Sequence, residues 1–342
     1  TSRLTLNGVL DTLTRTNQRK LARPMEILLE VRNLSVDLFN GTHAVPIISG
    51  VSFSLEPGKT LILLGESGGG KTILTRALTN LFPQGSSFVV TGDVVFNKSR
   101  LSDLSREELT LVRRRSIRYV FQEPGSALNP LATIRSQMAL ADITSGSDGR
   151  RYEKELTDVG ITEAATVLRS FPHQLSIGMA QRVMIAMALL PEPALLIVDE
   201  PTSAVDADSR GMILDLLSRR QRHGDMAMVV TTHDIEVARA LGHRVIMMLG
   251  GSVVEAAPAD QFLTSPLHPY VQEFLGTNPH TPDSRSVGVQ PLLAETPATP
   301  STFGKGCVYA GRCPKAREMC WSREPQLESA GADREVRCFF WK

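Results

Sequence analysis

The hydrophobic positions of this chain fall into short runs, not one long periodic pattern. Ile27-Leu-Leu-Glu-Val-Arg-Asn-Leu-Ser-Val-Asp-Leu-Phe39 alternates fairly well, and Val51-Ser-Phe-Ser-Leu55 alternates again. That period belongs to half-buried strands. Asn40-Gly41 has the spelling of a hairpin turn, and Glu56-Pro-Gly-Lys59 is a second turn signal. Leu61-Ile-Leu-Leu64, Val89 to Phe96, Arg118-Tyr-Val-Phe121, Ala194-Leu-Leu-Ile-Val198 and Met226-Ala-Met-Val-Val-Thr231 read as further strands, several of them apolar throughout. Ile73-Leu-Thr-Arg-Ala-Leu78 and Val183-Met-Ile-Ala-Met-Ala-Leu-Leu190 have helical spacing, and the second reads as core. Ser105-Arg-Glu-Glu108 is a capping-box spelling that opens a polar helix ending in Arg113, Arg114 and Arg115, a basic run that reads as a solvated face. Strands first, then strands alternating with helices, predict an α/β fold with an antiparallel N-terminal region.

Chemistry sits where the buried runs end. The run at 61–64 leads into Gly65-Glu-Ser-Gly-Gly-Gly-Lys71-Thr72, which fits the P-loop spelling G-x-x-x-x-G-K-[ST]. A strand, a glycine loop and a helix N-terminus aim several backbone N–H groups at one anion. Gly65, Gly68, Gly69 and Gly70 let the backbone, with Glu66 and Ser67, curl around phosphate oxygens. Lys71 would neutralise the β- and γ-phosphates, and the Thr72 hydroxyl would ligate Mg²⁺. The alternative is a plain glycine-rich turn. The run at 194–198 ends in Asp199-Glu200, a position from which Asp199 holds Mg²⁺ and Glu200 polarises water. The alternative is a strand capped by solvated acids. The run at 226–231 ends in Thr232-His233-Asp234, where His233 could meet a γ-phosphate or be structural. Gln122 leaves a strand into a Gly/Pro loop and could point its amide at a metal or a water. Phe39 is a candidate platform for adenine or a core residue.

Composition narrows the class. The chain has 342 residues and a net charge of +1, so bulk electrostatics give no case for a nucleic-acid partner. No apolar run approaches the roughly 20 residues needed to span a bilayer, and no signal peptide is evident. Work at a membrane would then be that of a peripheral subunit. Residues 1–24 are basic, with Arg3, Arg15, Arg19, Lys20 and Arg23 against Asp11. They read as a leader, either disordered or touching anionic lipid or a partner.

The ordered set of motifs resembles the nucleotide-binding subunits of ABC transporters over roughly residues 26–275. Gly65–Thr72 is similar to Walker A, Gln122 to the Q-loop glutamine, and Leu195–Asp199 with Glu200 to Walker B and the catalytic glutamate. Leu175-Ser-Ile-Gly-Met-Ala-Gln-Arg182 is similar to the signature segment, Ser203-Ala-Val-Asp206 to the D-loop, His233 to the switch histidine and Phe39 to the A-loop aromatic. The resemblance implies a P-loop NTPase core with a RecA-like mixed sheet, a helical subdomain over about 99–182, and ATP with Mg²⁺ as ligands. It implies nucleotide contacts from Ser176, Gly178 and Asp206 across a head-to-tail dimer. It also implies two transmembrane permeases, an extracytoplasmic solute-binding protein, and a place on the cytoplasmic face of the membrane. The signature departs from Leu-Ser-Gly-Gly-Gln, with Ile177 for the first glycine and Met179 for the glutamine. The weakness falls on the site completed for a partner, while Lys71, Asp199, Glu200 and His233 are all present. A heterodimer with a second, different ATPase subunit is therefore expected.

After Phe274-Leu-Gly276 the composition changes. Residues 276–302 carry Pro279, Pro282, Pro291, Pro297 and Pro300 with many Ser and Thr, and read as a linker. Residues 303–342 form a small extension holding all four cysteines, Cys307, Cys313, Cys320 and Cys338. The spacing lacks the close pairs of a zinc site. An iron–sulfur cluster, zinc, and free or disulfide-bonded thiols all remain open. With Ser265-Pro-Leu-His-Pro-Tyr270 and Gly311-Arg-Cys-Pro314, this tail resembles the C-terminal extension of oligopeptide and dipeptide importer ATPases, which implies a [4Fe–4S] cluster on the four cysteines. The expected function is ATP hydrolysis driving peptide uptake. A nickel or metal-chelate importer and a soluble ABC ATPase without a membrane partner are the alternatives.

Overall fold

A computed structural model describes residues 26–276 and 306–342, apart from 42, 84, 144–148, 204, 206 and 223. The leader 1–24, the linker stretch 277–302 and Asp206 lie outside the described residues. Two sheets organise the rest. The smaller contains β1 (Leu29–Phe39), β2 (Ala44–Leu55), β4 (Phe88–Phe96) and β5 (Ser99–Arg100), in the order β2-β1-β4-β5 and antiparallel throughout. The larger has the order β11-β12-β10-β9-β3-β8-β7-β6. Its strands are β3 (Thr60–Leu64), β6 (Ile117–Val120), β7 (Leu195–Asp199), β8 (Ala227–Thr232), β9 (Arg244–Leu249), β10 (Ser252–Pro258), β11 (Glu328–Ser329) and β12 (Glu335–Val336). The run from β9 through β3, β8 and β7 to β6 is parallel, and β10, β11 and β12 pair antiparallel.

The period of two along the central strands decides the layers. Ile62 and Leu64 of β3, with Leu196 and Val198 of β7, join the core on the helical side. Leu61, Leu63, Leu195 and Ile197 join the core shared with the antiparallel sheet. A strand buried on both faces must be apolar at every position, which is why β3 and β7 read as unbroken runs. The helix Lys71–Thr79 buries Leu74, Ala77 and Leu78 in the second core.

Three features differ from the sequence expectation. The range 99–182 is not helical throughout. Residues 99–100 pair with β4, the capped helix Arg106–Arg115 follows, and 117–120 form the edge of the parallel sheet beside β7. The main helical layer comprises Ile134–Ala141, Gly149–Asp158, Ala164–Arg169 and Ile177–Leu189, packed around Met138, Tyr152, Leu156, Leu168 and Met184. β2 begins seven residues before the alternating stretch at 51–55, because Pro46 and Gly50 break the pattern and irregular pairing absorbs them. β9 and β10 are further strands that the periodicity reading passed over.

The C-terminal extension is built into the larger sheet. β12 pairs with β10 through Glu255↔Val336 and Ala256↔Glu335. Glu255 is fully buried, and its carboxylate accepts from Leu267 N (3.0 Å), His268 N (2.7 Å) and Arg334 Nη2 (2.8 Å). A buried carboxylate is tolerated only with such a complete set of donors. Removing one partner strands the other charge. Glu255→Ala is therefore expected to destabilise the chain by about 3–5 kcal/mol, measured by denaturant unfolding. A loss below about 1 kcal/mol would mean that the pair does not anchor the extension.

Candidate active site

The C-terminal end of β3 delivers the chain into the loop at 65–70, and the helix starts at Lys71. Two glycines are dictated by space and torsion. Gly65 has φ +150°, and a Cβ there would lie 2.3 Å from the Met248 carbonyl oxygen. Gly70 has φ +94°, and a Cβ would lie 2.5 Å from Ile48 Cδ1. The loop is pinned from the β9–β10 turn, where Gly251 N donates to Gly69 O at 3.2 Å. The Lys71 ammonium is buried and donates to the carbonyls of Gly65 (2.7 Å) and Glu66 (2.9 Å). Burial lowers its pKa, opposed by the carboxylates of Glu200, Asp199 and Glu66.

The neighbouring strands supply the acids. Asp199 closes β7, and its Oδ1 accepts from Thr72 Oγ1 at 3.1 Å and from Thr231 Oγ1 at 2.5 Å. Its Oδ2 accepts from the Tyr119 hydroxyl at 3.2 Å, and that hydroxyl also bonds Thr75 Oγ1 at 2.8 Å. Burial and the Asp199 charge raise the Tyr119 pKa, so the phenol stays neutral and donates. Glu200 has a left-handed backbone, φ +48°, which costs a non-glycine residue about 1–3 kcal/mol. Its N–H donates to Thr231 O and Oγ1, both at 3.1 Å, and holds the turn. The turn sets the Glu200 carboxylate 3.9 Å from Lys71 Nζ and 3.1 Å from His233 Nδ1.

The structure thus brings the 65–72 loop, Asp199, Glu200 and His233 into one contact group. Phe39 sits at the end of β1, 44% exposed, so the core alternative for its ring does not hold. Gln122 is exposed just beyond β6. Ser176 caps the helix Ile177–Leu189 by accepting from Met179 N at 3.2 Å, and Gly178 lies in that first turn. No hydrogen bond or ion pair among the described residues ties Phe39, Gln122, Ser176 or Gly178 to the Lys71 group. The sequence reading missed Tyr119 and Thr231, although hydroxyls at the ends of buried strands next to the acids were a readable signal.

The same end of the sheet carries a second feature. Cys307, Cys313, Cys320 and Cys338 line one small cavity with Tyr309, His268 and Phe339. Burial and the other cysteines push the Cys307 thiol up to about 12, and Cys313 and Cys338 are raised as well. Among the described residues, however, no group of three or more His, Cys, Asp or Glu is arranged to hold a metal ion. The four thiols line one cavity and supply the donors of the expected iron–sulfur cluster, which the described structure does not otherwise support.

This geometry agrees with the relatives of the chain. Residues 48–203 match the family model "ABC transporter", and residues 254–320 match "Oligopeptide/dipeptide transporter, C-terminal region". The chain is 34% identical to the oligopeptide transport ATP-binding protein AppD of Bacillus subtilis, over 93% of this chain and 98% of that protein. The chain belongs to the ATP-binding subunits of ABC transporters. The dipeptide transport ATP-binding protein DppD of the same organism is 35% identical, over 92% of this chain and 95% of its own length. Among solved structures, the dimeric post-hydrolysis cassette MJ0796 bound to ADP and Pi is similar with a TM-score of 0.60 and 28% identity, covering 68% of this chain and 98% of that one. As a member of this family the chain is an ATPase with a P-loop core, and ATP and Mg²⁺ are its expected ligands.

Two substitutions separate binding from chemistry at this ATPase site. Lys71→Ala should weaken MgATP binding roughly 10- to 100-fold in equilibrium titration, the worth of one or two charge-assisted hydrogen bonds. Glu200→Gln should retain nucleotide and lower turnover by roughly 10²- to 10⁴-fold, the usual contribution of a general base. Full turnover in Glu200→Gln would remove that residue from the chemistry.

Proposed function

We propose that this chain is the subunit whose ATP hydrolysis drives import of oligopeptides or dipeptides through two membrane permeases, at the cytoplasmic face of the membrane. The observation that carries the solute class is the match of residues 254–320 to the oligopeptide/dipeptide transporter C-terminal region. The names of the Bacillus subtilis relatives support it. No helix among the described residues is long and apolar enough to cross a membrane.

In this reading Lys71 leaves the Gly65 and Glu66 carbonyls for the β- and γ-phosphates. Thr72 and Asp199, already 3.1 Å apart, would hold Mg²⁺, with Gln122 as a further contact. That ion would supply charge neutralisation on the phosphates. Glu200 takes a proton from the attacking water, and His233, on its other oxygen, orients the carboxylate and reaches towards the γ-phosphate. Phe39 offers an exposed ring to the adenine base.

The second ATPase subunit is read from the signature segment. Ile177 is 62% exposed at the tip of the helix that Ser176 caps. An apolar side chain there suits a site with reduced contacts to a partner's nucleotide, so the two sites of the dimer are unequal. The four-thiol cavity supports the [4Fe–4S] reading by its donor set alone, and iron and acid-labile sulfide analysis of anaerobically purified protein tests it.

Capture of the tagged chain from native membranes should recover two apolar permeases and one further, non-identical ATPase. Cells carrying Lys71→Ala should lose uptake of labelled peptides. Recovery of the chain alone, or undiminished peptide uptake, would overturn the proposal.

A further inference from the structure

The first turn of the phosphate loop is gripped by the C-terminal extension. Arg312 Nη1 donates to Glu66 Oε2 at 2.9 Å, and Nη2 donates to Oε1 at 2.7 Å, a bidentate fork between residues 246 apart in sequence. The fork is held in place from behind. The guanidinium lies 5.7 Å from the ring centres of both Tyr270 and Tyr309. Glu273 approaches Arg312 at 3.8 Å and also accepts from the Tyr309 hydroxyl. Glu66 N donates to the Tyr270 hydroxyl at 3.3 Å.

Arg312 sits in the turn that lines the cysteine cavity, between the lining residues Ala310 and Cys313. It lies in a tight turn in which Ala310 N donates to Cys307 O, and Arg312 N and Cys313 N donate to Tyr309 O, all at 3.0 Å. Cys307 N donates to Cys320 O at 2.7 Å. Cys307, Tyr309, Ala310 and Cys313 of this turn line the cavity, opposite Cys320 and Cys338. A change in how the four sulfurs are spaced would move the turn, and the turn carries the fork.

We propose that Arg312 is a positioning residue for the phosphate loop, and that it transmits the state of the four-cysteine cavity to the bound nucleotide. The inference rests on the reading of 65–72 as the ATP site. Its physical content is a charge balance. The Glu66 carboxylate belongs to a loop that must accept a triphosphate, and like charges repel. Arg312 neutralises it and fixes the residue whose carbonyl accepts from Lys71 at 2.9 Å. Arg, with its planar fork, does this where Lys cannot do so fully.

The test is equilibrium titration of the full chain with a non-hydrolysable MgATP analogue. Arg312→Ala should weaken binding about three- to tenfold. Arg312→Lys should recover part of the loss. In a Glu66→Gln background Arg312→Ala should cost almost nothing, since the charge it balances is gone. An undiminished loss in that background would show that Arg312 supports the fold and does not position the loop. The cavity arm uses Cys338→Ser, which lies outside the turn. It should change affinity at least about twofold in the native background and not in Arg312→Ala. If that variant does not fold, iodoacetamide alkylation of the folded chain takes its place. No change in affinity in the native background would overturn the coupling. Lys71→Ala serves as the separate control: if it binds normally, the site reading itself fails, whatever Arg312 does.

Discussion

The ammonium of Lys71 is the charge around which the structure is assembled. It is buried, and its shell consists of the Gly65 and Glu66 carbonyls with the Glu200 carboxylate further out. A buried cation is expensive unless it is paired and hydrogen-bonded. Every element that satisfies it must therefore be rigid. β3 is rigid because parallel neighbours flank it on both edges and apolar layers cover both faces. The loop is rigid because Gly65 presses against the Met248 carbonyl, where no side chain fits. Glu200 is held by a left-handed turn that two acceptors of Thr231 keep closed. The same demands make the site ready for an anion, since phosphate oxygens can replace the loop carbonyls around the cation without moving the sheet.

The extension after the linker is part of this assembly. It adds two strands beside β10, sinks Arg334 onto the buried Glu255, and brings Arg312 to the phosphate loop. The helix Pro269–Gly276 provides the floor for the last contact, through Tyr270 and Glu273. An ATPase core and a small cysteine-bearing unit thus share one sheet and are joined by two separate sets of ion pairs. In the proposed coupling, that arrangement is the tail's physical route to the nucleotide, which a tethered appendage would lack.

What could be read in advance follows the range of the interactions. The 65–72 loop was legible because strand, glycines, lysine and helix are consecutive. β7 and β8 were legible because burial on both faces forces unbroken apolar runs that end at the acids. β10 was harder to read, with Glu255 in mid-strand suggesting exposure. The carboxylate is buried because Arg334, 79 residues later, pairs with it. The Glu66–Arg312 fork joins residues 246 apart and has no local spelling at all. The helical layer was placed too early because the helix at 106–115 looked like its start, although the strand read at 118–121 returns the chain to the edge of the parallel sheet as β6.

The central claim is that Lys71 exchanges loop carbonyls for the phosphates of ATP while Asp199 and Glu200 stay in place. It is tested most directly by a structure of the Glu200→Gln chain bound to MgATP. The account predicts a triphosphate wrapped by residues 65–72, Mg²⁺ between Thr72 and Asp199, and Lys71 Nζ on the β- and γ-phosphate oxygens. A nucleotide bound elsewhere, or Lys71 still on the Gly65 and Glu66 carbonyls with ATP present, would contradict it.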